Sequence, residues 1–180
     1  MPGKKKDVNM PKKLTQKRLY NIALYYLSRY ESTTEKLRAV LERRIYKVER
    51  DGGDVPPETG QWIDSVIEEM VRLGYIDNRR YAENTFRHLS ESGKSVRTIT
   101  NKLKTAGLTD ELIEDIFEAQ DLSTGEMDLE AARKLVKKRK LGIWRPKEQR
   151  QEMYQKDLAV LGRAGFSYET ARKALENEDP

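Results

Sequence analysis

The chain has 180 residues, of which 37% are hydrophobic and 36% are charged. This composition suits an array of helices that each bury one apolar stripe, rather than a protein built on one large core. The absence of cysteine excludes disulfides, thiol chemistry and an ordinary cysteine–histidine zinc site. Because no apolar run is long enough to cross a bilayer and no signal peptide is visible, we expect a soluble, cytoplasmic protein.

The net charge of +5 is distributed unevenly along the chain. Residues 1–18 hold seven lysines and arginines against one aspartate. Residues 107–130 hold nine acidic and no basic residues, whereas residues 131–163 hold eleven basic residues against three acidic ones. This segregation favours contact with a charged partner through one face, and solvated surfaces of differing sign are the simpler alternative.

The lysine-rich segment 1–18 lacks a periodic apolar stripe, and we expect it to be disordered. A first helix is predicted after it, because apolar residues recur at helical spacing from Leu19 onward. Ser32 and Glu35 form a capping-box pattern for a second helix. The glycines, prolines and acids of residues 51–60 predict a mobile loop, after which a third helix follows.

A duplicated joint between helices organises the remainder of the chain. It reads Ala-Gly-Leu-Thr-Asp-Glu at 106–111 and Ala-Gly-Phe-Ser-Tyr-Glu at 164–169, an offset of 58 residues. In each copy the glycine can adopt the left-handed conformation that ends a helix, and Thr109 or Ser167 can cap the next helix. The repetition predicts a duplicated helical unit.

Six further helices are predicted, three on each side of a polar linker, and no stretch alternates as a strand would. Asp77 is expected to cap the first of the six, and Pro146 suits the opening of the fifth. We therefore predict an all-α fold, a tandem array of three three-helix repeats that is elongated and curved. Its predicted parts are the disordered basic tail (1–18), repeat 1 (19–76), repeat 2 (77–119), the linker (120–127) and repeat 3 (128–177).

Basic residues cluster in two of the predicted helical regions. Lysines and arginines can neutralise phosphates or meet an acidic protein, and an exposed indole can stack on an unpaired base. Packing of Trp144 against its own repeat is the alternative that we favour for that side chain. The predicted partner- or DNA-binding surface consists of Arg38, Arg43, Arg44 and Lys47 in the second helix, and of Lys134, Lys137, Lys138, Lys140, Trp144, Arg145, Lys147 and Arg150 around the joint of the seventh and eighth helices.

Side chains suited to catalysis are scarce. His88 is the only histidine, and its neighbours place it at a helix edge. The sequence has no phosphate-binding glycine loop and no dinucleotide fingerprint, and its clustered carboxylates follow helical surface patterns. We therefore predict a protein that is not an enzyme and that needs neither a metal nor a cofactor.

Three runs of the sequence together resemble a known family. The run 74–82 reads Gly-Tyr-Ile-Asp-Asn-Arg-Arg-Tyr-Ala and is similar to that family's most recognisable motif, which usually has a second acid where Asn78 stands. The run 23–29 resembles its first helix, and the Gly-Phe-Ser-Tyr of 165–168 resembles its C-terminal repeat. In the order of these motifs, over residues 19–176, the chain resembles the RecX regulatory proteins.

The resemblance implies a bacterial modulator of the RecA recombinase. Members of that family consist of tandem three-helix repeats, bind in the groove of the RecA–single-stranded DNA filament, and inhibit its ATPase and strand-exchange activity. The resemblance thus implies a role in recombination, DNA repair and the SOS response. We expect a monomer that binds the RecA filament, binds single- and double-stranded DNA weakly by itself, and has no membrane partner.

Two other functions fit the same residues. A helical protein that binds DNA directly, without a recombinase partner, would bind bare DNA with a steep salt dependence. A helical-repeat scaffold for an unrelated protein is the other candidate. The acidic segment 107–130 favours a protein partner over naked DNA, because its carboxylates repel phosphates.

Overall fold

The computed structural model describes residues 13–176, which contain nine α-helices, one short 3-10 helix and no strand. The predicted all-α class and the count of nine α-helices are confirmed over these residues. Among them, no helix is both long and apolar enough to cross a membrane, and no cluster of side chains is arranged to hold a metal ion. The chain divides into two compact units after Asn78.

The first unit is a three-helix bundle. Its helices are α1 (Gln16–Leu27), α2 (Thr34–Arg50) and α3 (Thr59–Arg72). Each helix turns one apolar stripe inward, as its sequence period predicts, and leaves a charged face outside. The centre of the core consists of side chains with no exposed surface, namely Leu19, Ala23, Leu37, Leu41 and Met70.

Helix α1 begins earlier than the sequence predicts. Thr15 caps it by accepting a hydrogen bond of 3.2 Å from the Arg18 amide. Leu14, the residue before the cap, is buried in the same core cluster as Leu19, which is the arrangement of a hydrophobic staple. The predicted disordered tail is therefore wrong for residues 13–18, and residues 1–12 lie outside the described part of the chain.

The start of the second helix also differs from the prediction. Thr33, not Ser32, caps α2, and its hydroxyl accepts a hydrogen bond of 3.2 Å from the Lys36 amide. Ser32 is buried instead. Helix α3 begins at Thr59, within the segment that the sequence predicts to be a loop, and the Thr59 hydroxyl donates a hydrogen bond to the Pro56 carbonyl. The connecting loop is accordingly shorter than predicted.

The second unit contains the other six α-helices, which form two hydrophobic clusters. One cluster is formed by the first three of these helices and the other by the last three. With the core of the first unit this makes three clusters, which is consistent with three repeats, although the repeat boundaries stay a prediction. The helices are α4 (Asn78–Glu91), α5 (Val96–Thr105), α6 (Asp110–Glu118), α7 (Thr124–Arg139), the 3-10 helix (Gly142–Trp144), α8 (Lys147–Arg163) and α9 (Tyr168–Glu176).

The two duplicated joints have the geometry that the sequence predicts. Gly107 and Gly165 adopt positive φ angles of 78° and 95°, which side-chain-bearing residues rarely do. Thr109 then caps α6 by accepting a hydrogen bond of 3.3 Å from the Leu112 amide. Ser167 stands at the matching position before α9 and accepts one of 3.1 Å from the Thr170 amide.

The predicted linker at 120–127 is too long. Ser123 and Glu126 form a capping box in which each side chain accepts a hydrogen bond from the other's backbone amide, at 3.3 and 2.9 Å. Helix α7 therefore begins at Thr124, and only four residues, 120–123, follow the cap of α6. The Ser-x-x-Glu signature of a capping box was present in the sequence.

Candidate nucleic-acid interface

Five cationic side chains of the second unit line one cavity of about 520 Å³. The turn between α4 and α5, the outer face of α7 and the end of α8 form its walls. Its one acidic residue is Glu91, and its cations are Lys94, Lys134, Lys138, Arg139 and Arg163. We call this site the basic cavity.

Hydrogen bonds between neighbouring helices hold the walls of the basic cavity together. The Ser95 hydroxyl, which caps α5, donates to the Ala164 carbonyl at the end of α8 with a distance of 2.8 Å. The Thr98 hydroxyl donates to the same carbonyl at 3.2 Å. A third bond of 2.7 Å joins the Val96 amide to the Asp128 carboxylate in α7. The beginning of α5 is thus fixed to both α7 and α8.

A glycine makes the close approach between α5 and α8 possible. A Cβ atom on Gly165 would stand 2.5 Å from the Ser95 hydroxyl, closer than real contacts allow. With its positive φ, Gly165 therefore has two reasons to be glycine, the turn itself and the approach of the cap of α5. Gly165 thus ends α8 and also lets the cap of α5 come close enough to form a wall of the basic cavity.

The five cations of the basic cavity are available to a ligand. Within residues 13–176, none of their side chains forms an ion pair or a hydrogen bond with another residue. Cations that surround one concave surface produce a positive potential that attracts anions and increases their local concentration. Lysine and arginine are also the side chains that neutralise nucleic-acid phosphates. The cavity is therefore suited to a phosphate-bearing strand.

The structure brings some of the sequence-predicted residues together at this site and leaves others apart. Lys134 and Lys138 line the cavity, whereas Lys140 and Lys147 are exposed outside its lining. Lys140 ends α7 in a left-handed conformation with a φ of 52°, where helices more often have glycine. Trp144 is 45% exposed, and the Lys137 ammonium lies 5.4 Å from its ring centre in a cation–π contact.

Arg145 has an internal role that its sequence position does not reveal. Its guanidinium forms two hydrogen bonds, of 2.8 and 2.7 Å, with the carboxylate of Asp157, which is only 1% exposed. The Gly142 amide donates a third, of 2.9 Å, to the same carboxylate. Burial raises the pKa of Asp157, but these hydrogen bonds outweigh burial and hold the pKa below its usual value.

Arg150 is committed in the same way. Its guanidinium donates hydrogen bonds of 3.0 and 2.6 Å to the carbonyl oxygens of Arg145 and Ile143. It thus supports the 3-10 helix and the turn that follows. Because Arg145 and Arg150 hold the entrance to α8, we do not include them in the candidate interface, in contrast to the sequence prediction.

The basic residues predicted in the second helix lie in the first unit and separate into two sites. Arg43, Arg44 and Lys47 line an open groove between α1 and α2. Arg38 is not part of its lining and pairs with Asp64 at 2.6 Å and with Glu35 at 3.9 Å. The hydrogen bond with Asp64 raises the pKa of the Arg38 guanidinium.

Three cations of the basic cavity are absent from the sequence prediction. Lys94 follows Gly93 in the turn between α4 and α5, and Arg163 is the last residue of α8. Arg139 lies in the predicted basic region of α7 but is not one of the predicted residues. Lys94 and Arg163 each lie next to a glycine turn, which the sequence does show. Only the contact between the start of α5 and the end of α8 brings these two turns together.

Comparison with known proteins identifies the family. No protein-family model matches the chain. The regulatory protein RecX of Myxococcus xanthus is 33% identical to it over 98% of this chain and 95% of that protein. The regulatory protein RecX of Streptococcus gordonii is 28% identical over 88% of this chain, which spans 55% of that longer protein.

A solved structure shows the same fold. The crystal structure of RecX from Lactobacillus salivarius superimposes with a TM-score of 0.63 at 22% identity, covering 88% of this chain and 93% of the other. Such a level of identity carries the fold alone, whereas the Myxococcus relative is similar in sequence over nearly the whole length of both chains. The chain therefore belongs to the RecX family of regulatory proteins.

Proposed function

We propose that this chain binds the RecA–single-stranded DNA filament and inhibits its ATPase and strand-exchange activity. Such a protein modulates recombination, DNA repair and the SOS response in the cytoplasm, and we expect it to act as a monomer without a cofactor. The observation that carries the proposal is the basic cavity, whose cations include Lys94, Lys134 and Arg163. Membership in a family of regulatory proteins named RecX supports it.

The proposed mechanism needs binding but no bond-making. The cations of the basic cavity neutralise phosphates of the filament DNA, and each neutralised phosphate releases a counterion that adds to the binding free energy. Other surfaces of the chain contact RecA protomers next to that DNA. A helical protein held at both places opposes the subunit motions that accompany ATP turnover, and it occludes the incoming duplex.

The DNA-dependent ATPase of RecA tests this proposal. Inhibition is expected when the chain is added at micromolar concentration, and the double variant Lys134→Glu/Lys138→Glu is expected to inhibit much less, because it reverses two charges of the cavity. The matched control is Lys102→Glu/Lys156→Glu, which reverses two exposed lysines outside the cavity lining. If the chain itself does not inhibit, or if both variants lose inhibition equally, the proposal is wrong.

A direct DNA-binding protein without a recombinase partner is the second candidate, favoured by the same cations. The two functions differ in what the chain binds in a co-sedimentation experiment. Under the first proposal the chain sediments with RecA filaments at a salt concentration at which it no longer binds DNA alone. Equal binding to naked DNA and to filaments across the salt range would favour the second candidate.

A further inference from the structure

The groove between α1 and α2 combines an apolar floor with a cationic rim. It is open to solvent and has a volume of about 530 Å³. Apolar side chains from both helices form the floor, and no acidic residue lines it. The residues that matter here are Ile22, Tyr25 and Val40 on the floor and Arg43, Arg44 and Lys47 on the rim.

This groove lies at the edge of the core of its unit. Helix α2 turns Leu37 and Leu41 into the core, and Val40 lies at the edge of the same apolar stripe, where it is only half-buried. Ile22 of α1 packs against the core cluster and is likewise half-buried. Two branched aliphatic side chains therefore line a solvent-filled groove, where an apolar side chain of a partner would remove them from water.

A buried donor at the edge of the groove also lacks an acceptor. The Nε atom of Arg44 has no solvent exposure and no hydrogen-bond partner among the described residues. Buried polar groups in proteins are nearly always hydrogen-bonded, so the Arg44 side chain would gain a hydrogen bond if it turned toward an acceptor brought by a partner. A carboxylate is the acceptor that pairs best with a guanidinium.

We propose that the α1–α2 groove binds an acidic amphipathic helix of a partner protein. Apolar side chains of that helix pack on Ile22 and Val40, and its carboxylates pair with Arg43, Arg44 and Lys47. The groove spans seven residue steps along α2, from Val40 to Lys47, which is about 10 Å or two helical turns. It therefore accommodates apolar anchors at positions i and i+3 or i+4, the usual spacing of a helix in a groove.

A protein segment fits this groove better than a nucleic-acid strand does. Binding of unpaired bases relies on aromatic faces, and Tyr25 is the only aromatic residue in the lining. The Arg29 guanidinium already covers a face of its ring at 4.4 Å. Ile22 and Val40 offer no stacking surface, whereas leucine-like side chains pack against them directly. The inference goes beyond the proposed function, because any protein with such a segment qualifies as a partner.

A fluorescent peptide tests the inference on the whole chain. The probe is a capped peptide of roughly 15 residues, the length at which isolated helices become stable, with leucines at i and i+4 and glutamates beside them. Fluorescence anisotropy is expected to show binding that weakens with salt. One control peptide replaces the leucines with serine, and a second replaces the glutamates with lysine. Neither control peptide should bind detectably.

Chain variants then locate the site. Arg43→Glu/Lys47→Glu changes two exposed residues and should weaken peptide binding at least tenfold, and Val40→Asp should do the same through the floor. The cavity variant Lys134→Glu/Lys138→Glu should leave it unchanged. Circular dichroism checks that each variant is folded, and the exposed pair keeps the test valid even if Val40→Asp destabilises the chain.

Several results would overturn the inference. These are absence of peptide binding at roughly 100 μM, a range in which weak helix–groove contacts are detectable, and equal binding to the groove variants. The third is displacement of the peptide by oligothymidylate, together with loss of oligonucleotide binding in Val40→Asp, which would identify a nucleic-acid site. Because RecA is not part of this assay, failure here leaves the ATPase result unaffected, and a failed ATPase test leaves this one unaffected.

Discussion

The basic cavity and the α1–α2 groove are two basic regions of one sequence that differ in the residues between their cations. Both are rich in lysine and arginine, and they have similar volumes of about 520 and 530 Å³. The cavity presents five cations from three separate parts of the second unit, whereas the groove places its cations around Ile22 and Val40. We therefore expect the residues between the charges, rather than the charges alone, to decide which polyanion each site prefers.

The largest effect, on the free energy of unfolding, is expected at the ion pair of Arg145, a basic residue that belongs to neither site. Asp157→Ala removes the buried partner of Arg145, and breaking a buried ion pair of this kind costs about 3–5 kcal/mol. Urea unfolding measures the change. Glu152→Ala, which removes an exposed acid from the same helix, is the control and should stay within about 0.5 kcal/mol of the parent. Equal stabilities of the two variants would contradict an internal role for Arg145.

Two aspartates should give stability opposite dependences on pH. The folded-state pKa of Asp157 is lowered, so its contribution is present above about pH 4 and is lost as pH falls through the folded-state pKa. Burial raises the pKa of Asp128, so its contribution is present below about pH 4 and is lost as pH rises through its folded-state pKa.

Urea unfolding between about pH 3 and 6 separates these two contributions. Asp157→Asn should reduce the loss of stability on acidification, whereas Asp128→Asn should remove a small gain. The asparagine at 128 still accepts the hydrogen bond from the Val96 amide, so the substitution mainly removes the titration. Identical pH profiles for both variants and the parent would show that neither pKa is shifted.

Charge reversal compares the two sites directly. Lys134→Glu/Lys138→Glu should weaken binding of oligothymidylate by roughly 100-fold at low salt, about 2.7 kcal/mol, and should lower the salt dependence of binding. Arg43→Glu/Lys47→Glu in the groove reverses the same number of charges and should change DNA affinity by less than about threefold. The two sites would not differ in ligand preference if both pairs had the same effect.

A smaller effect is expected at the glycine that lets the cavity walls approach. Gly165→Ala introduces a Cβ that overlaps the Ser95 hydroxyl and strains a positive φ, and it should cost about 1–2 kcal/mol. Gly162→Ala is the matched control, because that glycine lies in α8 with no atom near its added Cβ. The control should be neutral or stabilising, by up to about 1 kcal/mol.

The smallest effect is expected at Arg38, which pairs with Asp64 of α3 and lies outside the lining of the groove. Its pair with Asp64 is at the surface, where such pairs contribute about 0–1 kcal/mol. Arg38→Gln should therefore change both unfolding free energy and peptide binding only slightly, in contrast to Arg43→Glu/Lys47→Glu. A tenfold loss of peptide affinity in Arg38→Gln would extend the groove to this residue.

Features that depend on local chemistry could be predicted from the sequence. The glycine joints at Gly107 and Gly165 have the expected conformations because a helix end and the next cap are decided within a few residues. The same rules misplaced the cap of α2 by one residue, at Ser32 rather than Thr33. A single apolar residue, Leu14, extends the order at the start of α1 beyond what its polar neighbours suggest.

Features that depend on tertiary packing could not be predicted in this way. Arg145 looked like its basic neighbours because Asp157 lies twelve positions further on and meets it only when α8 folds back. Lys94 and Arg163 are 69 positions apart and share a cavity through the contact of Ser95 with Ala164. Charge patterns therefore located the basic regions, but the contacts between helices decided which cations are available.

The serine that caps α5 also has a consequence for how the second unit opens. The Ser95 hydroxyl accepts a hydrogen bond from the first turn of α5 and donates one to the carbonyl at the end of α8. Fraying of either helix end therefore removes a bond that also holds the other. Amide hydrogens near the start of α5 and the end of α8 should then exchange with solvent at matching rates, as one cooperative segment. Any anion that binds the basic cavity should slow the exchange of both together.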